Sequence, residues 1–352
     1  MFINALGTAV PPLRYTQRAC WEALHAAPQF SRLRAPSRLL LERVLTGEQG
    51  VRTRHLALES LAEAFVIDPD VLARRYARHA PELATLAARR ALERAGIEPR
   101  EIDALVVSTC TGYLCPGLTS HVAERLGLRP DVLGLDLVGQ GCGAALPNLR
   151  TAEALLASGR AAHVISICVE VCSAALYIDD DPGVLVSACL FGDGAGAAVV
   201  SRDPSSASRR VQWIDAVSLA DPGERDQLRM EMRGGLLRNI LSRDVPQIAA
   251  QHAEGLLERT LRKHRLTKPE VAEWIWHAGG RTVLERLRAL TRLTEHDTRR
   301  SADVLERFGN LSSPFVLFVL AQALEERAAG GWWWMSSFGA GFSCHGALLR
   351  VA

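Results

Sequence analysis

Cys142 is the residue whose setting most suggests chemistry. It stands in Gly139-Gln140-Gly141-Cys142-Gly143-Ala144-Ala145, after an apolar run over 132–138 and before a helical pattern that stops at Gly159. A strand, a glycine-rich turn and a helix place the thiol just ahead of a helix N-terminus. Unpaired amide hydrogens and the positive end of the helix dipole favour a thiolate there. The small neighbours leave the sulfur open to attack a substrate. The same turn has a second reading. Gly139, Gly141 and Ala144 after a strand also suit a dinucleotide pyrophosphate, with Glu170, at the end of the next apolar run, as the ribose-binding acid. The chain has 8 cysteines, and most free cysteines are small buried hydrophobes. The turn alone leaves both readings open.

The surrounding elements decide between them. Strand patterns over 1–9, 102–108, 132–138, 163–169 and 197–201 alternate with helical ones. Asp68-Pro69-Asp70 caps a helix and Pro81-Glu82 is expected to start another, ending at Gly96. The second part of the chain repeats these signals. Leu92-Glu93-Arg94 is matched by Leu257-Glu258-Arg259, and Gly141-Cys142 with Pro147 by Gly309-Asn310 with Pro314. Phe191-Gly192-Asp193-Gly194 is matched by Phe338-Gly339-Ala340-Gly341. Three matches in one order predict a duplicated α/β unit, with halves 1–203 and 211–352 joined by a polar linker. Alternating strands and helices predict largely parallel sheets covered by helices. Duplication sets Cys142 and Asn310 in equivalent places, each opening a helix on one cleft. His277 ends the strand of Trp274-Ile275-Trp276 at the same carboxyl edge. A dinucleotide site requires neither His277 nor Asn310, so the nucleophile reading prevails.

Composition removes other classes. The 352 residues carry 41 basic and 39 acidic side chains, a net charge of +2 that gives no nucleic-acid footprint. No apolar run approaches the ~20 residues of a spanning helix, and residues 1–7 lack the pattern of a signal peptide. Reduced thiols in a cytoplasm fit a chain too long to need disulfide staples. Cys168 and Cys172 have no second ligand pair at zinc spacing, so no metal is expected.

With these residues in hand, nearly the whole chain resembles the thiolase-fold condensing enzymes. It is most similar to the type III polyketide synthases, the chalcone and stilbene synthase-like family, in its bacterial branch. The marks are Gly139-Gln140-Gly141-Cys142, Leu190-Phe191-Gly192-Asp193-Gly194, Trp276-His277-Ala278-Gly279-Gly280, Phe308-Gly309-Asn310-Leu311-Ser312-Ser313 and Ser337-Phe338-Gly339-Ala340-Gly341. The resemblance implies a layered α-β-α-β-α fold and a homodimer. It makes Cys142 the acyl-bearing nucleophile, His277 and Asn310 its partners, and Phe191 the aromatic at the gate. Its substrates are an acyl-CoA starter and malonyl-CoA, with no tightly bound cofactor. A thiolate paired with an imidazolium would take the acyl group, and His277 and Asn310 would stabilise the enolate left by decarboxylation. Asn239 aligns with a second gating phenylalanine of the plant members, and Ala340 with a proline. Gly279 and Gly280, with Arg43 or Arg52, are expected to hold the carrier, since Glu48 occupies one of the family's basic places. Small residues from Cys172 to Ala175 suggest room for a fatty-acyl starter and an alkylresorcinol or alkylpyrone product. A ketoacyl synthase III-like enzyme using an acyl carrier protein, or a non-catalytic acyl-CoA binder, are the alternatives.

Overall fold

A computed structural model describes residues 1–47, 50–205 and 209–352. Glu48 and residues 206–208 of the expected linker lie outside the described residues. The strands, in chain order, are β1 (Phe2–Ala9), β2 (Arg14–Thr16), β3 (Thr53–His55), β4 (Ala104–Ser108), β5 (Leu133–Leu137), β6 (His163–Glu170), β7 (Gly194–Ser201), β8 (Val211–Ala220), β9 (Leu228–Arg233), β10 (Leu236–Leu241), β11 (Val271–Trp276), β12 (Gly331–Gly339) and β13 (Ser343–Val351).

Nine of them form one sheet in the order β11-β12-β13-β8-β1-β7-β6-β4-β5. It has two halves that meet where Phe2 of β1 faces Gln212 of β8. Outward from that seam, the first half runs β1, β7, β6, β4 and the second β8, β13, β12, β11, with the same strand directions. Only β5 lacks a counterpart. This is the duplicated layout of the thiolase fold. The sheet is more mixed than the alternating pattern predicts. The β4–β5, β4–β6 and β11–β12 pairs are parallel, whereas β7 and β13 run antiparallel to both of their neighbours. The physical reason is local. β12 and β13 are joined by a turn of a few residues at Ala340–Phe342, too short for the crossover that a parallel pair requires.

The helices Ala145–Ala157 and Phe315–Glu325 lie between the two half-sheets. Pro69–Ala95 covers the outer face of the first half and Val245–His264 that of the second, completing five layers. The burial pattern explains the arrangement. On β4, Ala104 and Val106 face the central layer while Leu105 and Val107 face the outer helices, and all four are buried. A strand covered on both faces reads as a continuous apolar run. Phe315–Glu325 is apolar nearly all round because helices and strands surround it.

One sequence expectation changes, and one further segment takes a defined form. Pro81 does not start a helix but lies inside the single helix Pro69–Ala95, capped by Asp68 and ended by Gly96 in the left-handed conformation. The proline removes one bond to the carbonyl of Ala77, an exposed position where water can replace it. Meanwhile Ala80, Leu83, Ala84, Ala87, Ala88 and Ala91 stay buried along the same stripe and hold the helix together. Second, the apolar segment after Asp179-Asp180-Asp181 is the helix Pro182–Leu190, whose N-terminus Asp181 caps through Gly183 N and Val184 N.

Candidate active site

The turn after β5 is one 3-10 turn, Gly141–Gly143, running into the helix Ala145–Ala157. Gly141 has φ +55°, and a Cβ there would lie 2.9 Å from the Ala340 amide nitrogen, so this position requires glycine. The end of β12 presses on the turn from the other half, and Ser337 Oγ donates to the Gly143 carbonyl at 3.0 Å. The nucleophile turn is thus built where the halves meet. Cys142 lies at the head of the helix and its sulfur opens on the cavity.

His277 follows β11 directly, its amide donating to Ser336 O at 2.9 Å. Its ring is wedged edge-on between Phe338 (centroids 4.9 Å apart) and Phe315 (5.2 Å). Nδ1 is buried without a partner among the described residues, which leaves Nε2 as the nitrogen able to serve the cavity. Asn310 forms an isolated parallel bridge with Phe191, and its amide donates to Leu190 O at 2.8 Å. Its side chain is fixed at both ends: Oδ1 accepts from Ser312 N at 2.8 Å, and Nδ2 donates to Gly279 O at 3.2 Å. A carboxamide nitrogen carries two hydrogens, so one remains for a substrate.

Cys142, His277 and Asn310 line one cavity of about 390 Å³ together with Phe191, Asn239, Gly279 and Gly280. At Cys142 it meets an inner chamber of about 50 Å³ lined by Ala175, Cys172, Tyr177, Met230, Phe191 and Asn239, among others. Phe191 and Asn239 therefore stand at the junction, and Asn239 Nδ2 donates to Ser187 Oγ at 2.8 Å. Arg43 and Arg52 are not brought to this cavity. Arg43 is exposed on the helix Ala35–Thr46, whose Leu40 and Val44 do line the wall. Arg52 pairs with Glu306 at 2.5 Å on the surface. The cations that line the cavity are Arg243 and Arg281, which carry no sequence motif.

Ser312 is a further site residue, for which sequence reasoning gave no role. Its hydroxyl donates to Cys142 Sγ at 3.1 Å, and its φ of +59° is rare outside glycine. The Asn310 Oδ1 bond to Ser312 N holds that conformation; the visible signal was the Asn310-Leu311-Ser312-Ser313 run. Glu170 is not a ribose ligand. It is fully buried, accepting from Cys110 N at 3.0 Å, Thr111 Oγ1 at 2.8 Å and Ser313 Oγ at 2.5 Å. These neutral donors leave it without a cation, and burial raises its pKa above the usual carboxylate value although the hydrogen bonds oppose.

Burial also dominates the reactive pair. It pushes the Cys142 thiol up to about 12, against the Ser312 hydrogen bond that lowers it. It lowers His277 to about 3. Taken singly, burial favours the neutral form of each group. The charged pair forms jointly, when one proton moves from sulfur to imidazole and the net charge of the cavity stays constant. Accepting at Nε2 requires the Nδ1–H tautomer, whereas the Nε2–H tautomer is the donor form.

A half-buried thiol, a buried imidazole and a buried carboxamide at the seam of a duplicated sheet define a condensing enzyme of the thiolase fold. Residues 65–228 match the FAE1/type III polyketide synthase-like family and residues 220–352 the C-terminal domain of chalcone and stilbene synthases. The chain is 32% identical to a 1,3,6,8-tetrahydroxynaphthalene synthase of Streptomyces peucetius subsp. caesius, over 90% of this chain and 84% of that one. It is 30% identical to a 3,5-dihydroxyphenylacetyl-CoA synthase of Streptomyces toyocaensis, over 72% of this chain and 66% of that one. The structure of PKS-I from the brown alga Ectocarpus siliculosus superposes with a TM-score of 0.90 at 26% identity, covering 99% of this chain and 98% of that one. The chain belongs to the type III polyketide synthases, and is an acyltransferase of that family. Among the described residues no three His, Cys, Asp or Glu are grouped to hold a metal, and no helix is long and apolar enough to cross a membrane.

Proposed function

We propose that this enzyme loads an acyl group from a CoA thioester onto Cys142, extends it with malonyl-CoA and cyclises the product. The observation that carries this reading is the convergence of Cys142, His277 and Asn310 on one cavity that continues into a smaller inner chamber. The Cys142 proton passes to His277 Nε2 as sulfur attacks the thioester carbonyl; the carbon–sulfur bond to CoA breaks, CoA leaves as its thiolate to take a proton from water, and His277 keeps its proton at Nε2. Malonyl-CoA then loses carbon dioxide, and the electrons of the broken bond fall on the thioester oxygen. His277 Nε2–H and the free Asn310 Nδ2–H stabilise that enolate. Its carbon attacks the acyl carbonyl and expels the Cys142 thiolate, and the chain is two carbons longer.

Gly279 and Gly280 leave the cavity wall open to the carrier arm, and Arg243 and Arg281 at its rim suit the carrier phosphates better than Arg43 or Arg52. The inner chamber does not favour the fatty-acyl starter expected from Cys172–Ala175. Those residues are small, but Leu176, Tyr177 and Met230 close the space. Tetrahydroxynaphthalene and dihydroxyphenylacetyl-CoA, named as products of the two relatives, are hydroxylated aromatics without an alkyl tail. A compact product of that kind, formed across the two cavities, requires no tunnel for an alkyl tail, unlike an alkylresorcinol or alkylpyrone. The reading includes a homodimer in the cytoplasm and halves at 1–203 and 211–352. Edge strand β5, with Leu133 and the adjoining Val138 exposed, supports the dimer.

Intact mass after mixing with acyl-CoAs tests the proposal. Adducts on the wild type and none on Cys142→Ala are expected, and malonyl-CoA then yields a cyclised product. Equal adducts on the variant refute the nucleophile. A single 3-ketoacyl product would favour the carrier-protein alternative.

A further inference from the structure

Behind the inner chamber lies a second cavity of about 40 Å³, enclosed by Cys20, Leu24, Leu41, Leu45, Leu56 and Ala64 among others. Among the described residues the two cavities share only Leu176 and Ala188. Leu176 follows the short turn Cys172–Ala175, and Ala188 lies on the helix Pro182–Leu190. The void is apolar apart from Arg54, whose guanidinium is directed to the carbonyls of Ala188 (2.7 Å) and Phe191 (3.0 Å). Leu176 packs from the other side onto Leu56, Leu58 and Ala64, so its side chain fills the gap between the two spaces.

We propose that Leu176, with Ala188 beside it, is the length stop for the acyl chain carried on Cys142, and that the starter is therefore short. This rests on the acyl-transfer reading above. An apolar cavity of ~150 Å³ takes up benzene, so the 50 Å³ chamber has room for about two or three carbon atoms beyond the thioester. Of its other walls, Ser187, Phe191, Leu228 and Asn239 adjoin the main cavity that opens past Cys142. Cys110 and Thr111 are backed by the Glu170 hydrogen bonds, and Met230 by the β9–β10 hairpin. At Leu176 and Ala188 one layer of side chain separates the chamber from a further apolar void. Removing the Leu176 side chain joins the spaces and nearly doubles the inner room even before the deleted atoms are counted. Each methylene that enters the void then gains the transfer free energy of a buried CH₂, about fourfold in kcat/KM.

The experiment measures the rate of Cys142 acylation by intact mass with acetyl-, butyryl-, hexanoyl-, octanoyl- and dodecanoyl-CoA. Wild type is expected to slow sharply beyond butyryl. Leu176→Ala should move that limit by two or more carbons, gaining at least tenfold for octanoyl relative to acetyl. Leu176→Val, a smaller change that preserves more packing, should move it in the same direction if the alanine variant folds poorly. Adding Ala64→Leu to Leu176→Ala fills the void from its far wall and should return the limit towards the wild type. An unchanged length profile in a variant with a normal melting transition overturns the proposal, as does wild-type acylation by dodecanoyl-CoA as fast as by butyryl-CoA. Loss of the length shift with short-chain adducts intact refutes the length stop alone. No adduct on wild-type Cys142 from any donor refutes the acyl-transfer reading, and the stop with it.

Discussion

Replacing Ser312 by alanine should reduce the reactivity of Cys142 without touching the sulfur. The Ser312 hydroxyl donates to Sγ at 3.1 Å inside a cavity where burial otherwise raises the thiol to about 12. A hydrogen bond to a charged acceptor is worth about 1.5–3 kcal/mol. It acts on the thiolate more than on the thiol, so its loss raises the thiol pKa by roughly one to two units at about 1.4 kcal/mol each. Below that pKa the thiolate fraction falls by about 10- to 100-fold. A more basic thiolate is also a better nucleophile, with a Brønsted slope of about 0.4–0.5, which returns roughly 3- to 10-fold. The net expectation is an alkylation rate at neutral pH about 3- to 10-fold lower, with the pH profile displaced upwards. Iodoacetamide labelling of Cys142 followed by mass spectrometry from pH 6 to 10 measures both. The Asn310 Oδ1 bond to the Ser312 amide does not involve the hydroxyl, so the positive-φ backbone keeps its support. Thermal melting checks that the variant is folded. A folded Ser312→Ala protein with the wild-type rate and profile refutes the reasoning, because the bond would then contribute nothing to the thiolate.

Asn310→Ala should separate the two half-reactions. Acyl loading on Cys142 should persist within a few-fold, while release of carbon dioxide from malonyl-CoA falls by about 10²- to 10³-fold, the usual cost of losing one oxyanion donor; equal loss of both steps would place Asn310 elsewhere in the mechanism. Glu170 predicts a pH dependence of stability. Its folded-state pKa is raised by burial, so the unfolded chain releases the proton first, and stability falls as pH rises from about 4.5 through the raised value. Glu170→Gln should remove that component from melting temperatures measured between pH 4 and 8; an unchanged slope would mean that Glu170 does not titrate in this window.

The order of elements, the duplication and the nucleophile turn are legible in the chain, because they depend on local signals. Gly141 carries the positive φ that the turn requires, Asp68 and Gly96 bracket a helix, and the doubly buried strands announce themselves as apolar runs. His277 and Asn310 are legible too, since both stand beside a strand end or a helix start in the repeated pattern. Pro81 misled because a proline's local cost was offset by a buried stripe that only the packed helix displays. The direction of β13 follows from its short connection to β12 rather than from side-chain pattern.

Which atoms meet across the seam depends on packing between distant elements. Ser312 is far along the chain from Cys142 but 3.1 Å from its sulfur. Arg43 and Arg52 belong to a basic stretch, yet the cavity rim takes Arg243 and Arg281. Small residues from Cys172 to Ala175 suggested space, but Leu176 closes it and a separate void lies behind. Periodicity records which face of an element is buried. Cavity shape and the electrostatics of a buried thiol arise from side chains of distant elements packed at van der Waals contact, and no local pattern encodes them.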